Sequence, residues 1–141
     1  MRLVDLTAQE AVRLCLWLFH GGLFMLGAHF GRVVWEGGTP VTPELYGPAV
    51  YAIPALAWAA GQFVSHGITM VGLAIWGRFG MALTIIGGSM AAVFHSFLAY
   101  FGSMASQGTL VHAGAMYLTA PGAVLTVMFT VGVWHLGRGG K

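Results

Sequence analysis

Charged residues divide this chain into long blocks that carry none: 14–31, 45–77 and 79–137. Apolar side chains run nearly unbroken within each block. A helix that crosses the hydrocarbon core of a bilayer needs about 20 such residues. The first block fits one span. The second fits one long span preceded by an interfacial piece. The third fits two spans with a turn at Ser106-Gln107-Gly108-Thr109, its most polar point. The pattern predicts an all-α integral membrane protein, a bundle of four transmembrane helices with short loops. The spans fall near 11–34, 49–75, 80–104 and 111–136, in a single membrane domain covering 1–141.

Local signals sharpen these boundaries. Thr7-Ala8-Gln9-Glu10 has the spacing of a capping box, so the first helix is expected to start near Ala8. Trp35 and Glu36-Gly37-Gly38 end it at an interface. Thr42-Pro43-Glu44 reads as an N-cap, a first-turn proline and an acid at the positive helix end, cut short by Gly47-Pro48. Trp76-Gly77-Arg78-Phe79-Gly80 reads as a tight link between the second and third helices. Pro54 and Pro121 are expected to kink the helices that hold them.

Composition supports lipid as the solvent. The chain is 57% hydrophobic and 7% charged, where a soluble domain has about 25% charged residues. The net charge of +2 rests on few groups and forms no basic patch, which excludes a nucleic-acid partner. The 22 glycines lie inside apolar runs, where small residues let helix backbones approach closely. Gly27 to Gly31 and Ala57 to Gly61 have small-xxx-small spacing, read as packing within the bundle. The five tryptophans mostly fall near predicted interfaces and read as belt anchors. Cys15, the single cysteine, has no intramolecular partner for a disulfide. With four spans, Arg2, Arg13, Arg78, Arg138 and Lys141 share one side and Arg32 alone holds the other. The positive-inside rule then places both termini in the cytoplasm, with the chain in the inner (cytoplasmic) membrane.

The polar side chains inside the spans are few. No Asp, Glu, Lys or Arg lies mid-span, which disfavours a carboxylate-based pump or ion-coupled carrier. No nucleophilic triad, phosphate loop or zinc pattern is present, so an enzyme is not expected. The remaining chemistry rests on His20, His29, His66, His95, His112 and His135, with Gln62, Ser65, Ser89, Ser96, Tyr100 and Tyr117. His20 and His29 are nine residues apart. At about 100° per residue they face opposite sides of one helix, about 13 Å apart along the axis, and cannot share a metal. Matched depth pairs His20 with His66 and His29 with His95. Two imidazoles at matched depth on separate helices are candidate ligands of haem b, and one suffices for the magnesium of a (bacterio)chlorophyll. Against ligation stands the commoner role of an intramembrane histidine, a hydrogen bond to a carbonyl or a neighbouring helix.

These features point to a small accessory or anchor subunit of a larger respiratory or photosynthetic membrane complex. Its partners are the lipid bilayer and other membrane subunits, and a tetrapyrrole is its candidate cofactor. Two alternatives stand beside it. One is a holin-like or viral pore-forming protein, which leaves the histidines unexplained. The other is a small oligomeric transporter or channel for an uncharged solute.

Overall fold

The computed structural model describes residues 7–36, 55–105 and 110–139. Among the described residues it contains four α-helices and no strand: α1 (Ala8–Trp35), α2 (Ala55–Ile75), α3 (Gly77–Ala105) and α4 (Leu110–Gly139). The turn read at 106–109 falls between α3 and α4. It lies outside the described residues, as do Thr42-Pro43-Glu44, Gly47-Pro48 and Pro54. Pro121 sits inside α4.

The capping box is present at the start of α1. Thr7 N donates to Glu10 Oε2 at 2.9 Å, and Glu10 N donates to Thr7 Oγ1 at 3.3 Å. The reciprocal bonds satisfy two amides that the first turn leaves without partners. The link between α2 and α3 is as tight as the sequence suggests. It requires positive φ at Trp76 (46°) and Gly77 (68°). For tryptophan this backbone conformation costs roughly 1–2 kcal/mol. Contacts from two other helices offset the cost. The Arg13 guanidinium of α1 lies 5.3 Å from the centroid of the Trp76 ring, and Phe129 of α4 lies 6.1 Å from it.

Sequence neighbours pack together: α1 on α2, α2 on α3, α3 on α4. Glycine sets the separation of α2 and α3. A Cβ on Gly72 would lie 2.6 Å from the Gly80 carbonyl oxygen, and one on Gly87 would lie 2.7 Å from Thr69 N. The pairing of Gly72 with Gly80, and of Thr69 with Gly87, shows the two helices running antiparallel. Gly27 of α1 meets the backbone of Phe63, and Gly31 meets Ala59. The small-residue spacing of α1 therefore serves packing within the bundle.

The interior is polar and the exterior apolar. Of the largest fully buried side chains only Leu73 is a hydrocarbon; the others include His20, His66, Thr69, Thr84 and Thr126. Met25 is 66% exposed, Phe79 70% and Met128 63%. A water-soluble domain has the opposite distribution. Three helices are long and apolar enough to cross a membrane, over Ala8–Val33, Gly77–Tyr100 and Thr119–Gly137. α2 is not a clear span by composition, because its 21 residues include Gln62, Ser65, His66 and Thr69. All four are buried. Trp58 departs from the belt-anchor expectation. It is buried, edge-on to Phe94 at 4.8 Å, with the Phe94 ring lying over Gly61.

Replacing Gly72 or Gly87 by alanine should lower the unfolding midpoint in mild detergent, by about 1–3 kcal/mol each. Gly132→Ala, at a position with nothing within 4 Å of the new Cβ, should cause no loss. Equal behaviour of the three variants would show that backbone contact does not hold α2 against α3.

Candidate functional site

Each helix contributes one member to a buried hydrogen-bonded chain. His20 Nδ1 lies 2.7 Å from His66 Nδ1, and His66 Nε2 lies 2.9 Å from His95 Nε2. His20 Nε2 lies 3.0 Å from Thr126 Oγ1, whose hydroxyl donates to the Gly122 carbonyl at 2.9 Å. The three imidazoles are nearly inaccessible: His20 and His66 are 0% exposed, His95 3%. Consecutive ring centroids are 5.0 and 5.1 Å apart, tilted by 46° and 43°. The chain joins α1, α2, α3 and α4, and through Thr126 it closes α4 against α1.

Local sequence explains how the rings reach one another. Helical side chains lean toward the N-terminus of their own helix. α2 and α3 run antiparallel, so His66 leans away from the Trp76 link and His95 leans toward it. The lean closes a difference in depth that places His66 and His95 apart in the sequence reading. Phe19 fixes the other side. Its ring stands edge-on to His20 at 5.1 Å, and a Cβ on Gly122 would lie 2.5 Å from it. The lack of a side chain at Gly122 lets α4 bring Thr126 up to His20.

The buried hydroxyls around the chain satisfy themselves locally. Ser65 donates to the Gln62 carbonyl, Thr69 to Ser65, Thr84 to Gly80 and Thr130 to Thr126. Gln62 Nε2 reaches the Leu23 carbonyl on α1 at 3.4 Å. Among the described residues, no buried side-chain nitrogen or oxygen lacks a partner.

Of the histidines named from sequence, the structure brings together His20, His66 and His95. His29 is exposed on α1 and forms no pair with His95, which bonds to His66 instead. The nine-residue offset explains the split. When His20 faces the bundle interior, His29 must face out. His135 is exposed, and the side chain of His112 lies outside the described residues. Sequence reasoning missed Thr126. Its signal is a hydroxyl in a charge-free block, four residues after Gly122 and four before Thr130, hence on one helix face with both.

Geometry bears on what the chain can hold. An iron ligated by two imidazoles at about 2 Å each needs roughly 4 Å between the nitrogens. The observed separations are 2.7 and 2.9 Å, so neither pair holds an iron as it stands. The rings do not converge on one point; His66 presents a different nitrogen to each neighbour. Among the described residues, no group of three or more His, Cys, Asp or Glu is placed to hold a metal ion. The arrangement is a linear hydrogen-bonded chain, and proton sharing is the chemistry such a chain supports.

His66→Leu should cost about 1–3 kcal/mol for each of the two ring nitrogens left without a partner, one on His20 and one on His95. Denaturation in mild detergent measures this, with His29→Leu as a control expected to stay near wild type. A near-neutral His66→Leu would mean that the chain adds nothing to the bundle. No protein-family description, no curated protein and no solved structure matches this chain.

Proposed function

We propose that this protein is a small four-span membrane subunit of a larger assembly, with both termini in the cytoplasm. Its role in that assembly is to carry the intramembrane histidine chain. The chain is the observation that supports this most directly. Ionisable side chains in a bilayer interior are expensive and mark function by default. A subunit serving only as an anchor would pack as well with leucine and phenylalanine at these positions. Three imidazoles from three helices point instead to chemistry performed within the bilayer. The distribution of the basic residues supports the orientation. The charge-poor exterior supports partners that are themselves membrane proteins. One candidate contact face is a groove of about 360 Å³ between α1 and α2, lined by Gly27, Ala28, Gly31, Ala59, Ala60 and Phe63. Small residues at such a face allow a further helix to approach closely.

The contact distances favour a chain without a tetrapyrrole between its rings. The reading is therefore a proton-handling subunit and not a haem or chlorophyll carrier. Purification of the full chain from its native membrane in mild detergent tests both parts. The expected result is a colourless subunit that copurifies with other membrane proteins at fixed stoichiometry. A Soret or chlorin band that disappears in His66→Ala would return the histidines to cofactor ligation. A solitary protein that permeabilises cells when expressed alone would replace the subunit reading with that of a pore-former.

A further inference from the structure

We infer that the histidine chain is a proton-binding site of capacity one, closed at Thr126 and open at His95 Nδ1. The inference rests on the proposed function only in taking the bundle to be embedded in lipid. Thr126 has one hydroxyl proton, and the Gly122 carbonyl takes it at 2.9 Å. The 3.0 Å contact to His20 Nε2 must then be filled by a proton on His20. A neutral His20 that carries its proton on Nε2 has a bare Nδ1. That nitrogen is 2.7 Å from His66 Nδ1, so His66 donates from Nδ1 and its Nε2 is bare. His66 Nε2 is 2.9 Å from His95 Nε2, so His95 donates from Nε2. Three neutral rings supply three N–H groups, and three contacts use them. One hydroxyl on α4 thus fixes the tautomers of three histidines on three other helices.

The polarity leaves one bare ring nitrogen that engages no other member of the chain, His95 Nδ1, on a ring that is 3% exposed. An oxygen acid at that end, a hydronium ion or a carboxylic acid of a partner, can transfer a proton to it and leave as its conjugate base. His95 then passes its Nε2 proton to His66, and His66 its Nδ1 proton to His20. Each transfer moves the positive charge one ring along the chain and keeps every contact filled by one hydrogen. The charge stops at His20. Beyond it the Thr126 hydroxyl already gives its proton to a carbonyl, and a carbonyl oxygen is no proton acceptor of useful basicity. The proton returns by the route it entered. A second proton would place two cations on rings whose neighbouring centroids are 5.0 to 5.1 Å apart, without water between them.

The surroundings add no competing charge. From α1 the chain meets Phe19; from α2, Ser65 and Thr69 flank His66; from α3, Phe94 stands edge-on to His95; from α4 come Thr126 and Thr130. Among the described residues, no Asp, Glu, Lys or Arg is buried. The nearest charge along α1 is Arg13, two turns from His20 and engaged with Trp76.

The test is 15N NMR of the full chain, histidine-labelled, in lipid nanodiscs, where protonated and bare ring nitrogens resonate apart. At neutral pH the expected pattern is protons on His20 Nε2, His66 Nδ1 and His95 Nε2. On acidification the three rings should shift together and take up one proton in total. Thr126→Ser retains the hydroxyl and should keep the pattern. Thr126→Val removes the lock and should give His20 mixed tautomers, and His95→Phe should abolish uptake by His20 and His66. The reverse tautomer pattern, three independently titrating rings, or an unchanged pattern in Thr126→Val would each overturn the inference. Failure of Thr126→Val to fold leaves the wild-type pattern and the Thr126→Ser result to decide it. Loss of copurifying partners would overturn the proposed subunit role without touching any of these signals.

Discussion

A polar side chain in hydrocarbon finds no water and must take its partners from protein, and five of the six ring nitrogens of the buried imidazoles find theirs in the hydrogen-bonded chain. That requirement organises the structure. His66 has two ring nitrogens and engages one on each side, toward His20 and toward His95. His20 engages its second nitrogen with Thr126. The result fixes the relative position of all four helices, because each contributes one member. Apolar contacts between helices in lipid are not strongly directional, since lipid tails are as apolar as leucine. Hydrogen bonds between rings are directional, and they select one register where apolar packing alone would allow several.

Such short contacts between rings require backbones that lie close. The glycines provide this at two places that frame the chain. Gly72, Gly80 and Gly87 bring α2 against α3 at backbone contact, on the Trp76 side of the His66–His95 pair. Gly122 admits Phe19 and so brings α4 to α1 beside His20. The high glycine content, the buried hydroxyls and the histidines are therefore parts of one arrangement. Small residues set the separation, self-satisfied hydroxyls fill the polar seam, and the imidazoles span it.

Much of the fold was legible in the sequence. The charge-free blocks located the helices, and the capping box and the 76–80 link appear where their residues place them. The resemblance to a clear four-span pattern is weakest at α2, whose Gln62, Ser65, His66 and Thr69 lower its apolar content. The same four residues make α2 the middle of the polar seam, so the weak span signal and the site have one cause. The site was legible only in part. Sequence spacing shows that His20 and His29 face opposite ways, but not which of them faces in. Matched depth paired His29 with His95, because depth counted along the axis ignores the lean of side chains toward the helix N-terminus. Thr126 escaped notice because threonine is common in membrane helices, where its hydroxyl usually bonds only to its own backbone. That bond is present here, and its consequence for His20 depends on the packing of α4 against α1, which no local pattern encodes.

The placement of charge completes the physical account. Arg13 sits over Trp76 at one end of the bundle, and Arg32 pairs with Glu36 at the other at 2.8 Å. Both groups are held at the helix ends, where water can solvate them. Between them the titratable groups among the described residues that lie buried are the three histidines. A carboxylate beside the chain would hold a proton on one ring permanently and break the neutral count of one hydrogen per contact. A lysine or arginine would repel any added proton. The absence of both from the middle of the spans is therefore a condition for a neutral, polarised chain as well as a signature of lipid solubility. The constraint that keeps charge out of the bilayer also leaves the histidines as the groups whose protonation can change there.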